Sequence, residues 1–164
     1  MKVTLLVFGK LKAPGLRDAT DYYLRNLRPW TETQEIELKP TPVPDKSEAT
    51  RARIQAEETE RVLEVLAKRC SPRARLYLLD ERGKSLSTAA WADAARSWEN
   101  DSIPEVVLAI GSSLGFSSEI KKKAQGLFSL GPQTLSHEIA RLVLSEQLYR
   151  AWSVLRGHPY HVEG

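Results

Sequence analysis

All three histidines of this 164-residue chain fall in its last fifth, at His137, His158 and His161. Glu138, Arg141, Glu146, Tyr149, Arg150 and Tyr160 share that stretch. Imidazole titrates near neutral pH and suits acid–base work. Two of the three stand in the terminal run His158-Pro159-Tyr160-His161-Val162-Glu163-Gly164. Chain ends ordinarily fray, so His-Pro-Tyr-His at an end marks an end that is used. Metal binding is not supported, because no Asp, Cys or further His stands at ligand spacing. The single cysteine, Cys70, rules out an internal disulfide and a cysteine-cluster metal site.

A second chemical signal comes from three glycine-bearing segments that follow apolar runs. They are Leu78-Leu79-Asp80-Glu81-Arg82-Gly83-Lys84, Ile110-Gly111-Ser112-Ser113-Leu114-Gly115-Phe116, and Leu130-Gly131-Pro132-Gln133-Thr134-Leu135-Ser136-His137. In open α/β sheets, ligands bind beyond the carboxyl ends of strands. Glycine there lets the backbone approach a ligand and offer its N–H groups. Taken singly, each glycine marks a turn more often than a binding loop. The second segment lacks both the G-x-G-x-x-G spacing and the Walker lysine, so neither a dinucleotide nor a nucleoside triphosphate is supported.

The elements that must position these residues alternate in type. Val3–Phe8 reads as a buried strand rather than a leader peptide, since the apolar run is short and no small-residue cleavage site follows. Gly15–Leu27 reads as a helix, and Glu35–Leu38 as a short strand. A loop with Pro40, Pro42 and Pro44 leads to a long charged helix from about Ser47 to Arg69, with Ser47 as N-cap. Ala74–Leu79 reads as a strand, and Ser87 caps a helix running to about Trp98. Glu105–Ile110 is a strand, Ser117–Ala124 a short helix, Leu127–Leu130 a strand, and Ser136–Leu155 the final helix. Apolar strands alternating with helices predict an α/β fold with a mainly parallel sheet. No repeat or linker divides the chain, so residues 1–164 are expected to form one domain. The final helix has one apolar patch at Ile139, Leu142 and Val143. It has another at Ala140, Leu144, Leu148, Ala151, Trp152 and Leu155, and only a narrow polar stripe remains, on which Glu146 and Arg150 pair at i,i+4. Such a helix is buried on two sides, either deep in the core or between the sheet and a partner subunit, and its place near a terminus favours the partner.

Composition is that of an ordinary globular protein, with 41% hydrophobic and 27% charged residues. No apolar run reaches the roughly 20 residues of a membrane span, and a cytoplasmic location is the expectation. The net charge of +3 is uneven. Residues 1–30 carry Lys2, Lys10, Lys12, Arg17, Arg25 and Arg28 against Asp18 and Asp21, a net of +4. A basic stretch of this kind can touch RNA, or can simply be a solvated face.

Taken together, these segments resemble one family. The opening Val7-Phe8-Gly9-Lys10-Leu11-Lys12 and the Leu79-Asp80-x-x-Gly83-Lys84 and Ile110-Gly111-x-x-x-Gly115 segments match it. So do Glu146-Gln147-Leu148-Tyr149-Arg150-Ala151-Trp152 and His158-Pro159-Tyr160-His161. The chain resembles, along essentially its whole length, the RlmH type of SPOUT-class (α/β-knot) RNA methyltransferases. The resemblance implies a parallel sheet with helices on both faces and a C-terminal trefoil knot within about 74–164, an exception to the rule that chains are unknotted. It implies a homodimer that uses S-adenosylmethionine, with no metal, to methylate N3 of a pseudouridine in 23S rRNA on the assembled ribosome. Carried over by position, cofactor contacts fall on Leu79, Gly111, Leu130, Gly131, Pro132, Gln133, Thr134 and Leu135. His161, Tyr160, His137 and Arg150 become the candidates for orientation, proton transfer or phosphate contact. The tail of one subunit is thought to reach the cofactor site of the other. Three positions depart from the family pattern: Gly111-Ser112 for a pair of glycines, Ser136-His137 for Pro-His, and Val162-Glu163-Gly164 where a basic residue is common after His161. A SPOUT methyltransferase acting on another RNA position, and a noncatalytic RNA-binding dimer, are the alternative readings.

Overall fold

Six successive residues that are apolar or β-branched, Val3–Phe8, can be buried only where helices cover both faces of a sheet. The computed structural model describes residues 1–162 and has that arrangement. In chain order the elements are β1 (Lys2–Phe8), α1 (Leu16–Leu27), β2 (Glu32–Leu38), α2 (Glu48–Arg69) and β3 (Arg75–Ser85). They continue with α3 (Thr88–Asn100), β4 (Glu105–Ile110), α4 (Ser118–Lys123), β5 (Gly126–Ser129) and α5 (His137–Leu155). The strand order is β2-β1-β4-β3-β5, and all four pairings are parallel. Side chains alternate across the sheet. Val3, Leu5, Val7, Val106, Leu108 and Ile110 pack with α1, α3 and α5. Leu6, Phe8, Val107 and Ala109 pack with Val62 of α2 and Ile120 of α4.

The helices begin where the sequence places their caps. The hydroxyls of Ser47, Ser87, Ser117 and Ser136 accept from the backbone N–H of Thr50, Ala90, Ile120 and Ile139. Each satisfies an N–H that the first helical turn leaves unpaired.

Two boundaries depart from expectation, and the first is the start of β2, at Glu32 rather than Glu35. The strand expected to end at Leu79 continues to Ser85. Leu79 and Lys84 both stand opposite Phe128 of β5, so the residues between them leave the ladder as a bulge. The polar run Asp80-Glu81-Arg82 disguises this return to the strand. Gly83 permits it, since a Cβ there would lie 2.6 Å from the carbonyl carbon of Leu127.

Helix α5 is buried more deeply, and by more polar residues, than its pattern indicates. Ala140, Leu144, Leu148, Ala151 and Trp152 are core residues, as the apolar stripe predicts. Arg141 and Ser145, which read as surface, are buried too, Arg141 to 2% exposure. The Arg141 guanidinium donates to Glu35 through Nε at 2.9 Å and to Glu37 at 2.8 Å. Arg17 reaches the other oxygen of Glu35 at 2.7 Å and pairs with Asp21. Farther along, Trp152 Nε1 donates to Glu99 of α3 at 2.9 Å. The guanidinium is buried, but Glu35 is part-buried and Glu37 keeps a third of its side chain exposed, so both carboxylates regain water if it is removed. Arg141→Ala is therefore expected to lower unfolding free energy by about 1.5 kcal/mol in urea titrations, the worth of a charge-assisted hydrogen bond. Arg141→Lys should recover less than half of that, since an ammonium cannot fork between two carboxylates.

Candidate active site

The carboxyl ends of β3, β4 and β5 meet around one cavity of about 550 Å³. Its wall takes Leu79–Arg82 from the β3 bulge, Ile110–Phe116 after β4, and Leu130, Gly131 and Gln133–His137 before and into α5. Seven of the eight residues singled out for cofactor contact line it: Leu79, Gly111, Leu130, Gly131, Gln133, Thr134 and Leu135. Pro132, the eighth, is exposed and outside the wall.

Each loop is held by its own contacts. In the first, Asp80 accepts from the Arg82 N–H at 2.9 Å and pairs with Lys121 at 3.3 Å. Burial works to raise the Asp80 pKa, but those two donors outweigh it and hold the carboxylate below its ordinary range. Glu81 reaches the third loop and accepts from the Thr134 hydroxyl at 2.5 Å. In the second loop, a Cβ on Gly111 would meet the Phe116 ring at 3.2 Å. The Ser112 hydroxyl donates to Glu58 at 2.6 Å, and the Leu114 carbonyl accepts from Gln55 at 2.8 Å and Arg51 at 3.2 Å. In the third, Gly131 takes a left-handed φ of 132°, and Ser129 Oγ accepts its N–H at 3.0 Å.

The α2 contacts escape a reading by motif. Arg51, Gln55 and Glu58 share the i, i+4, i+7 stripe that Val62 continues into the core. Polar side chains on a stripe ending in a core valine were the available signal.

Of the four candidate catalytic side chains, His137 lines the cavity. It stands in the first turn of α5, and a Cβ on Gly9 would come within 3.2 Å of its Nε2. Glu138, next to it, accepts from the N–H groups of Ala13 at 3.0 Å and of Lys12. Those two backbone donors hold the Glu138 carboxyl below its ordinary range. The exit of β1 is thereby fastened to the start of α5.

The other three candidates form a separate group at the far end of α5. The Tyr160 hydroxyl donates to Glu146 at 2.8 Å, and His161 Nδ1 lies 3.2 Å from Arg150. The Arg150 guanidinium sits 4.7 Å over the Tyr160 ring, and Arg150 also pairs with Glu146 at i,i+4. His158 packs edge-on against Trp30, which stacks on Tyr149. With a rise of 1.5 Å per helical residue, Arg150 lies about 20 Å along α5 from His137. Within one chain, then, Arg150, Tyr160 and His161 do not reach the cavity.

Burial, and then the hydrogen bond to Glu146, push the Tyr160 phenol well above the ordinary tyrosine range. The folded protein favours the protonated phenol, so this stabilisation is present below about pH 10 and lost as the phenol is finally ionised. In an ultraviolet titration, the phenolate step near pH 10 should have the same amplitude in the parent and in Tyr160→Phe. A smaller step in the variant would show that Tyr160 titrates normally.

Among the described residues, no group of three or more His, Cys, Asp or Glu could hold a metal ion. Among the same residues, no helix is long and apolar enough to cross a membrane. The chain matches a family described as "Predicted SPOUT methyltransferase" over residues 1–161. It is 36% identical over 163 residues to the Ribosomal RNA large subunit methyltransferase H of Syntrophotalea carbinolica, covering 98% of this chain and 99% of that one. Proteins of the same name from Ralstonia nicotianae and Bartonella tribocorum are 35% and 32% identical, with the same coverage. In fold it is similar to the crystal structure of a probable methyltransferase from Bordetella pertussis Tohama I, with a TM-score of 0.54 and 14% identity. That likeness covers 91% of this chain and 93% of the other. Family match and relatives agree along nearly the full length, and the chain accordingly belongs to the SPOUT methyltransferases, a family of knotted α/β enzymes.

Proposed function

We propose that this protein transfers the methyl group of S-adenosylmethionine to N3 of a pseudouridine in 23S ribosomal RNA. The assembled ribosome is the substrate and a homodimer the working form. The reading is carried by the convergence of three strand exits on one cavity in a SPOUT chain whose relatives are named for large-subunit ribosomal RNA. In this reading residues 1–164 act as one domain, the knot lies within about 74–164, and the enzyme works in the cytoplasm.

The cavity fits the cofactor on its chemistry. Its volume is within the ordinary range for small-ligand sites. Leu79, Ile110, Leu130 and Leu135 offer an apolar wall for adenine. Gly115 and Gly131 have positive φ and open space where a Cβ would stand, so the backbone can come close to a ligand. When bound, S-adenosylmethionine supplies a methyl carbon already activated by the neighbouring sulfonium. The chain has to align N3 with that carbon and accept a proton. Transfer to N3 would release the cofactor as the neutral thioether, and the N3 proton would have to pass to the protein. His137, in the cavity wall, is the side chain we assign to accept or relay it.

Arg150, Tyr160 and His161 are assigned to the cavity of the partner subunit, since they lie too far from their own. Ile139, 39% exposed on α5, and Tyr22, 52% exposed on α1, supply apolar contact for the second copy. Tyr160 then acts by stacking or orienting a base, because its raised pKa keeps the phenol protonated and so without a free site for the proton. The basic stretch of residues 1–30 contributes less to RNA binding than its charge indicates. Lys2 pairs with Glu105, and Arg17 with Asp21 and Glu35. Lys10, Lys12, Arg25 and Arg28 have no ion-pair partner among the described residues.

The function is tested by mass spectrometry of 23S rRNA from a strain lacking the gene. Loss of one methyl group from one pseudouridine is expected, and an unchanged methylation pattern would refute the assignment. Calorimetry with S-adenosylmethionine separates an enzyme from a noncatalytic RNA-binding dimer. Deleting Tyr160–Gly164 should lower methyl transfer to ribosomes by about 100-fold or more; an unchanged rate would remove the tail from the mechanism. His137→Ala should lower kcat by about 100-fold at unchanged cofactor affinity, and a normal kcat would exclude it as proton acceptor.

A further inference from the structure

Glu58 has no part in the chemistry above, yet it is only 4% exposed. It stands on α2, on the sheet face opposite α5. One carboxylate oxygen accepts from the Ser112 hydroxyl at 2.6 Å. The other faces the N–H of Thr41 at 3.4 Å. Burying a carboxylate is unfavourable unless donors surround it, so Glu58 and Ser112 constrain each other. Ser112 adjoins Gly111 in the cavity wall. The same helix face holds the loop at two further points. Gln55 and Arg51 bind the Leu114 carbonyl, and the Thr59 and Ser117 hydroxyls lie 2.6 Å apart. Between Ser112 and Gly115 the loop has two hydrogen bonds of its own, from the Gly115 N–H to the Ser112 carbonyl at 3.0 Å and from the Leu114 N–H to the Ser112 hydroxyl at 3.4 Å. Its conformation is therefore set largely from outside, by α2.

We propose that Glu58 is a positioning residue for this loop. By fixing Ser112 it sets the conformation of residues 111–115, and through that the affinity of the cavity for S-adenosylmethionine. Ser112 thus replaces a flexible second glycine with a side chain that is tied down. The inference rests on the function proposed above, and Glu58 itself touches no reacting atom.

The test combines cofactor affinity, steady-state kinetics and hydrogen exchange of the ligand-free full-length protein. Ser112→Ala and Glu58→Ala should each raise the Kd and KM for S-adenosylmethionine about tenfold, the effect of one hydrogen bond to a charged group. In Glu58→Ala, which leaves the cavity wall itself unaltered, kcat at saturating cofactor should stay within about twofold, because the loss acts on binding. The double variant should also lie near tenfold rather than 100-fold, since both changes remove the same Glu58–Ser112 bond. Glu58→Gln keeps an acceptor for Ser112 and should lie within about threefold of the parent. In the ligand-free variants, amides of residues 111–116 should exchange faster while those of β1 and β4 do not, which also reports that the variants fold. A fall in kcat at unchanged KM, multiplying effects in the double variant, or unaltered loop exchange would each overturn the proposal. If the parent itself failed to bind S-adenosylmethionine, the assigned function would fall, while loop exchange would still decide the role of Glu58.

Discussion

Arg141 lies beneath α5 with its guanidinium forked between Glu35 and Glu37. Both carboxylates belong to β2, the strand at one edge of the sheet. The chain enters α5 from β5, the strand at the other edge. Four strand spacings separate these edges, about 19 Å. The segment after β5 must therefore run back across the carboxyl ends of the central strands before α5 can settle on β2. In doing so it carries Leu130, Gly131, Gln133–Leu135 and His137 over the exits of β3 and β4 and closes the cavity. This ion pair, with its buried guanidinium, is more than a stability device. It fixes where the third loop lies, and with it the position of His137.

The cavity is held from both faces of the sheet. On one side α5 supplies His137, and Glu138 fastens the β1 exit. On the other, α2 grips the loop after β4 through Arg51, Gln55 and Glu58. The β3 bulge bridges to the third loop through Glu81 and Thr134. Hydrogen bonds within the loops, Asp80 with Arg82 and Ser129 with Gly131, add to these outside contacts. A site of this kind is rigid because the helices around it are packed in the core, a condition for holding two reactants in line.

The second half of α5 serves a different end. Glu146 gathers Arg150 and Tyr160, and Tyr149 packs on Trp30 and Tyr160. This ordered the chain's last described residues, which would otherwise fray. One helix thus carries the cavity histidine at its start and the anchored tail at its end, separated by its own length.

Much of the fold is legible in the residues. The runs Val3–Phe8 and Glu105–Ile110 announce doubly covered strands, and serines before apolar periodicity announce helix starts. The glycine-bearing exits point to the cavity, because backbone freedom and strand direction are local properties. The return of β3 after its bulge is not legible, since it depends on Gly83 passing the Leu127 backbone. Nor are the roles of Glu58 and Arg141. Their partners Ser112 and Glu35 stand 54 and 106 residues away in sequence, and a charged side chain in isolation reads as surface. Sequence alone determined the elements, their amphipathic faces and the residues able to do chemistry, since these follow from local periodicity and side-chain type. Tertiary structure decided which of them meet. It placed His137 in the cavity and kept Tyr160 and His161 from it, because that separation follows from the length of α5 and its anchorage to a distant strand.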